Sequence, residues 1–276
     1  MSQNPPAPSD YLFAQAPDEA RRLRRQSEYF RRFTSAFLES AGITAGMKVL
    51  DVGTGIGDVS FLLAERVGPQ GTVVGVDMNP AMIDLSRQRA QAAGFTNVSF
   101  LQGDILHMAL DDQFDAVVGR LVLMYVKDRV AALRRLSQHL RPGGMLAFQE
   151  LDLTLAGTSL PPAPLVEQVG SRLTQVFQRA GLDTRGLNLF HLFLEAGLPT
   201  PELELITTVG GGPDWAGYEQ LVDITSALLP LMLNFGIATL EEVRVETLLQ
   251  RLREEAASRQ NVVMIHGLMN VRTRIA

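Results

Sequence analysis

A doubly wound α/β fold is predicted by three features: short apolar runs of strand-forming residues, amphipathic helical segments alternating with them, and glycines at the joins. Runs such as KVLDV (48–52) and TVVGVD (72–77) are almost continuously apolar, as strands covered on both faces are. Between them, apolar residues recur at three- and four-residue spacing. The expected architecture is a mostly parallel sheet with an antiparallel C-terminal strand and a helical cap.

The elements follow in order. MSQNPPAPSD opens a Pro-rich, polar tail, 1–17, expected to be disordered. Residues 18–46 contain a lead-in helix with Leu23, Phe30, Phe33 and Phe37 on one face and arginines on the wet face. A core over 47–155 then alternates: a strand at 48–52, a helix from Asp58, and a strand at 72–77. A helix follows with Pro80 in its first turn and Gly94 past its end. Strands VSFLQGD (98–104) and FDAVVGR (114–120), a helix near 128–140 and a strand GMLAFQELDL (144–153) complete it. The remainder, 156–276, is expected to complete the sheet and supply the cap. It reads as a linker SLPPAP, helices ending at Gly181 and Gly197, a strand at 201–209, a helical region at 215–257 and a terminal strand.

Composition narrows the function. The absence of cysteine among 276 residues excludes disulfides, thiolate-zinc sites and a cysteine nucleophile. A net charge of -5 argues against a large nucleic-acid footprint. No apolar run reaches the roughly 20 residues that span a bilayer, and no signal-peptide pattern opens the chain. A cytoplasmic protein is expected, with no membrane and no nucleic-acid partner; a homodimer stays open. The arginine run over 21–32 reads as a solvated face.

The corner VLDVGTGIGDVS (49–60) is the main functional signal. In open α/β sheets, ligands sit beyond the strand ends where strand order reverses, and glycines let backbone approach a ligand closely. The dinucleotide fingerprint is G-x-G-x-x-G. Here Gly53, Gly55 and Gly57 give G-x-G-x-G, and Asp58 occupies the third glycine's place. Asp58 is expected to face and repel a pyrophosphate, and Asp51 to make the corner more anionic, which suits a cationic ligand.

Together with VVGVDMNPAMI, LQGDILHMAL, FDAVVGRLVLMYVKD and LRPGGMLAFQE, this corner resembles the class I S-adenosylmethionine-dependent methyltransferases, five motifs in the family's order. The resemblance implies a Rossmann-like core and S-adenosylmethionine as cofactor; a metal is not implied, since no clustered His and carboxylate spacing appears. It implies that Gly53, Gly55 and Gly57 pass under the methionine moiety with Asp51 beside it, and that Asp77 holds the ribose. Met78 and Ile105 would flank the adenine, Asp104 would bind its amino group, and Arg120 would lie at the methionine end.

The acceptor is less legible, because a sulfonium is already an activated leaving group and alignment is the main requirement. The catalytic candidates are Glu150, Tyr125 and His191, with Glu150 and Asp152 at the acceptor edge. His191 otherwise reads as a core histidine, as does His266, and His139 as structural near a helix end. His107 reads as solvent-facing. The apolar stretch SALLPLMLNFGIATL (226–240) is a candidate lining for a greasy cavity, or else core of the cap. Gln26 and Tyr29 are candidates on a lead-in helix that, in the family, closes over the cofactor. The predicted activity is methyl transfer by in-line displacement to a small, partly apolar organic acceptor at oxygen, nitrogen or carbon. The rivals are an RNA methyltransferase and a methyltransferase-fold protein using the cap for binding or another reaction.

Overall fold

Alternate residues of each central strand point to opposite faces, and the two faces collect different helices. The computed structural model describes residues 19–108, 110 and 113–276; the expected disordered tail lies outside them. The elements are α1 (Glu19–Ser40), β1 (Lys48–Val52), α2 (Asp58–Val67), β2 (Thr72–Asp77), α3 (Pro80–Ala93), β3 (Val98–Gln102) and β4 (Phe114–Arg120). They continue with α4 (Arg129–Gln138), β5 (Leu140–Asp152), β6 (Thr158–Leu160), α5 (Pro164–Arg179), α6 (Asn188–Glu195) and β7 (Glu202–Gly211). The last are α7 (Gly217–Asn234), α8 (Leu240–Val243), α9 (Val245–Arg259) and β8 (Val262–Arg274).

The described chain divides into two compact units, and α1, β5, β7 and β8 each pass from one into the other. The first unit comprises 30–150, 187–204 and 269–276. Its strands run in the order β3-β2-β1-β4-β5-β8, with β7 on β8. The pairs from β3 through β5 are parallel. The end of β8 meets the start of β5, with the Gly143 N–H donating to Ile275 O and the Ile275 N–H to Gly144 O, which makes the C-terminal strand antiparallel. One face packs Val49, Val73, Val118 and Ala147 against Phe37 and Leu38 of α1 and Leu62 and Leu63 of α2. The other packs Leu50, Val52, Val117, Leu146 and Phe148 against Leu133 and Leu136 of α4 and Leu189 and Phe193 of α6. Strand order reverses between β1 and β4, so a crevice lies beyond their C-terminal ends.

The second unit comprises the described residues of 19–29 with 151–186 and 205–268. Here β6 pairs antiparallel with β8, and α7 and α9 pack together with α5.

Three expectations are corrected. The segment taken as a linker begins with β6, because Thr158–Leu160 finds a partner edge on Val262–Met264. The helical region 215–257 is three helices, broken where Gly236 and Arg244 adopt left-handed backbone (φ 63° and 44°). The strand expected from 144 starts at Leu140. On α1 most of the arginines are exposed, but Arg22 is buried and paired with Glu19 at 2.7 Å.

Phe148 is fully buried, with its ring edge-on to Phe193 at 6.5 Å between centroids. Phe148→Ala should cost about 3–5 kcal/mol of unfolding free energy, read as a lowered urea midpoint. An unchanged midpoint would show that the α4/α6 face is not close-packed.

Candidate active site

The corner between β1 and α2 is built from backbone that only glycine adopts cheaply. Gly53, Gly55 and Gly57 have φ of 68°, 53° and 88°, the left-handed region where a Cβ is penalised. They serve different ends. A Cβ on Gly53 would lie 2.4 Å from the Val122 side chain, whereas one on Gly55 would meet nothing within 4 Å. Gly53 therefore allows two segments to touch, and Gly55 leaves backbone facing open space. The corner is tied to β2 through the Thr54 N–H, which donates to Val76 O at 2.9 Å.

Its charges are sorted. Asp51 is fully buried and accepts from the Ser60 hydroxyl at 2.6 Å, with Ser60 and Thr54 hydroxyls 2.8 Å apart. Burial pushes its carboxyl up to about 6; Asp77 adds to the rise, while Ser60, Thr54 and Arg120 oppose it. Asp58 does not face the crevice as a bare charge. Its carboxylate pairs with Arg89 of α3 at 2.7 Å, so the repulsion expected from it is tied off, a correction to the sequence reading. Asp77, at the end of β2, accepts from the Gly55 N–H at 2.8 Å and the Asn79 N–H at 2.9 Å. Met78 beside it is 66% exposed, an apolar side chain held in the open.

After β3, Asp104 accepts from the Leu106 N–H at 2.9 Å and lies 2.7 Å from His107 Nδ1. Burial works to raise its carboxyl, but these partners prevail and hold it below the ordinary value. Ile105 packs on the α4/α6 core. At the end of β4, Arg120 donates to the Thr34 hydroxyl at 3.1 Å. Burial lowers its guanidinium below the usual value, against the charges of Asp58 and Asp51.

The chain then turns sharply. Leu121 adopts φ 55°, uncommon outside glycine. The turn brings the Val122 and Leu123 N–H groups onto one oxygen of Glu150, each at 3.0 Å. Glu150 is 4% exposed, and its Oε2 is buried with no partner among the described residues. Burial pushes its carboxyl up to about 7; backbone N–H groups of Leu123, Val122 and Met124 and the charge of Arg129 oppose the rise. Tyr125 ends this turn, half-buried.

A family model described as a methyltransferase domain matches residues 43–183, just over half of the chain. The chain belongs to the class I S-adenosylmethionine-dependent methyltransferases. Among curated relatives, it is 34% identical over 131 residues to the ubiquinone/menaquinone biosynthesis C-methyltransferase UbiE of Idiomarina loihiensis, covering 47% of this chain and 51% of that one. It is 32% identical over 133 residues to a demethylmenaquinone methyltransferase of Staphylococcus aureus, covering 48% and 52% respectively. The chain thus spans about half the length of the curated relatives it matches. Among solved structures, the YcgJ protein of Bacillus subtilis shares the fold at 18% identity, with a TM-score of 0.58 over 89% of this chain and 100% of that one.

The cofactor of this methyltransferase family is S-adenosylmethionine, and the donor set suits it. Carboxylates at the end of β2 and after β3 can accept from hydroxyls and an amine, an apolar side chain stands beside the first, and open backbone runs between. Asp51, Gly53, Gly55 and Asp77 are joined by contacts through β1, β2 and the corner; Arg120 feels the charge of Asp51. Sequence reasoning missed Leu121, Arg89, Ser60 and Thr34. Only Ser60 had a signal, as a hydroxyl on the first turn of a helix facing an acid.

His191 is not placed with this group. It is exposed on α6 with its ring edge-on to Phe190, so the expectation of a core histidine is corrected: α6 buries Leu189 and Phe193 instead. His139 caps α4 and is held below its usual pKa by burial and Arg135. In the second unit, Asp152 accepts from the Gly186 N–H at 2.7 Å. There the buried His266, beside Tyr29 at 6.1 Å between ring centroids, is pushed down to about 4 by burial. Gln26 is half-buried on α1. The 226–240 stretch packs Leu228 and Met232 inward. Beside Met232 and Leu165 it leaves a cavity of about 10 Å³, room for one water; there is no greasy cavity at that place. Among the described residues, no group of three or more His, Asp or Glu is arranged to hold a metal, and no helix is long and apolar enough to cross a membrane.

Glu150 gives a pH prediction. Its carboxyl titrates near 4.5 when unfolded and about 7 when folded, so the folded state binds the proton more tightly. Its contribution is fully present below about 4.5 and is lost as pH rises through about 7. Asp51 acts in the same sense and His266 in the opposite one, so the difference between proteins is the clean measure. Wild-type stability minus that of Glu150→Gln should fall between pH 5 and pH 7 in urea titrations. A flat difference would refute the raised carboxyl.

Proposed function

We propose that this chain transfers the methyl group of S-adenosylmethionine, by in-line displacement, to a small, partly apolar organic acceptor at oxygen, nitrogen or carbon. The observation that carries the reading is the meeting of Asp77 with Gly55: a carboxylate turned back on open backbone, beside an exposed methionine. When bound, the cofactor supplies a methyl group on a positively charged sulfur. The chain's own residues then have binding and alignment to perform.

In this reading Asp77 accepts from the ribose hydroxyls, and Met78 and Ile105 cover the two faces of the adenine. Asp104 accepts from the adenine amino group. Gly53, Gly55 and Gly57 carry backbone under the methionine moiety, with Asp51 behind them and Arg120 toward its carboxylate. The quinone-related names of the two curated relatives support an organic acceptor with apolar character.

Glu150 is reassigned. One oxygen already binds two backbone N–H groups of the turn after β4, so its first task is to hold that turn and Tyr125 with it. Tyr125 stays a candidate for touching the acceptor. His191, exposed on α6, is dropped as a base.

The test is release of S-adenosylhomocysteine by the full chain across phenols, quinols, amines and carboxylic acids. Product from one class supports the reading and names the atom. Tight cofactor binding with no product from any class would favour a protein that has kept the fold and lost transfer.

Asp77→Ala should weaken S-adenosylhomocysteine binding by about 1–3 kcal/mol, and calorimetry showing unchanged affinity would remove the ribose role. Gly55→Val should abolish binding, since a branched side chain would both strain φ 53° and fill the open space.

A further inference from the structure

Three polar side chains sit in the first unit where apolar ones would be expected. Thr34 of α1, Gln149 of β5 and Asn270 of β8 are each no more than 2% exposed. Buried polar groups persist when they are hydrogen-bonded, and these three bond to one another in one direction. Arg120 Nη1 donates to Thr34 Oγ1 at 3.1 Å, and the Thr34 hydroxyl donates to Gln149 Oε1 at 2.8 Å. Gln149 Nε2 donates to Asn270 Oδ1 at 2.8 Å, and Asn270 Nδ2 donates to Glu204 Oε2 at 3.1 Å.

The chain of bonds thus starts at a guanidinium and ends at an exposed carboxylate on β7. Each donor points the same way, so a positive charge at one end and a negative charge at the other polarise every link in the same sense. The members come from five elements, Thr34 and Gln149 standing 115 positions apart in the sequence and Gln149 and Asn270 121 positions apart. Arg120 lies beside Gln149 in the β4–β5 register, and Thr34 reaches across to both.

We propose that Thr34, Gln149 and Asn270 are positioning residues that fix the Arg120 guanidinium for the methionine carboxylate of the cofactor. The inference rests on the reading of Arg120 given above. A free arginine side chain has many rotamers and loses that freedom on binding a ligand. A guanidinium already bonded on one nitrogen has lost part of it before the ligand arrives, which improves affinity without a new ligand contact. A merely structural network would support the fold and would not distinguish one end of the cofactor from the other.

The experiment compares two ligands by calorimetry on the full chain. S-adenosylhomocysteine carries the amino-acid end; 5′-methylthioadenosine keeps adenine and ribose and lacks it. Arg120→Met should weaken the first by about 10-fold or more, the scale of a charge-assisted hydrogen bond, and leave the second unchanged. Thr34→Val should weaken the first by about 5-fold with the second unchanged, and Thr34→Ser, which keeps the hydroxyl, should restore the wild-type ratio. Asn270→Leu, two links further along, should shift the ratio the same way by about 2-fold and serves if Thr34→Val does not fold. Thr34→Val or Asn270→Leu weakening both ligands alike, or neither, while Arg120→Met is selective, overturns the positioning role. Arg120→Met weakening both alike overturns the reading of Arg120, and the positioning role with it.

Discussion

Where strand order reverses, the end of β1 and the turn after β4 come so close that only a missing side chain permits it. Val122 fills the space a Cβ on Gly53 would need. Val122 is there because Leu121 takes a left-handed conformation, at a cost of about 1–2 kcal/mol for a non-glycine residue. Glu150 holds that turn by accepting two N–H groups on one oxygen. One glycine, one left-handed leucine and one buried acid thus act together where β1 meets the turn after β4.

Charge at the crevice follows a similar division. A carboxylate that serves a ligand must be reachable, and one that serves the fold must be satisfied from behind. Asp58 is of the second kind, neutralised by Arg89; Asp51 is held inside the protein by Ser60 on one oxygen, its Oδ1 having no partner among the described residues. In the proposed reading Asp77 is of the first kind, bonded to backbone N–H groups on the rim of the corner. It is then the reachable anion at the corner, which suits a cationic sulfur nucleoside better than a pyrophosphate. A pyrophosphate would also need donors, and the nearby guanidinium of Arg89 is already committed to Asp58 and the Ile56 carbonyl.

Much of this was legible in the sequence, for a physical reason. The parallel strands announce themselves by continuous apolarity, and the corner by glycines whose backbone no other residue adopts cheaply. Asp77 and Met78 could be placed because a strand end fixes where its next residues go. What failed to show were features set by partners far away in the chain. Nothing near Asp58 in sequence says that Arg89 will reach it from α3, and nothing near Thr34 names Gln149. Leu121 gave no sign at all, since leucine is not a residue that marks left-handed backbone. His191 misled because an apolar neighbourhood in sequence is not one in space: α6 buries Leu189 and Phe193 and packs Leu192 partly against the core, leaving His191 exposed.

The asymmetry between a readable cofactor side and an obscure acceptor side has a chemical root. A nucleoside presents the same hydroxyls, amine and ring every time, so carboxylates and apolar covers must recur at fixed places, and a motif results. Methyl transfer from a sulfonium asks of the acceptor side only alignment and exclusion of water, which many side chains can supply. The apolar stretch in α7 illustrates the point. Leu228 and Met232 are taken up by packing in their own unit, whereas Leu233 is exposed, so apolar composition there does not by itself mark a substrate pocket. Discrimination between apolar acceptors is worth only about 1–3 kcal/mol per methylene, whereas a mismatched hydrogen bond can reject an analogue far more strongly. Acceptor identity in such an enzyme is therefore written in a few polar atoms whose positions are fixed by the fold, and a sequence pattern has no means of recording them.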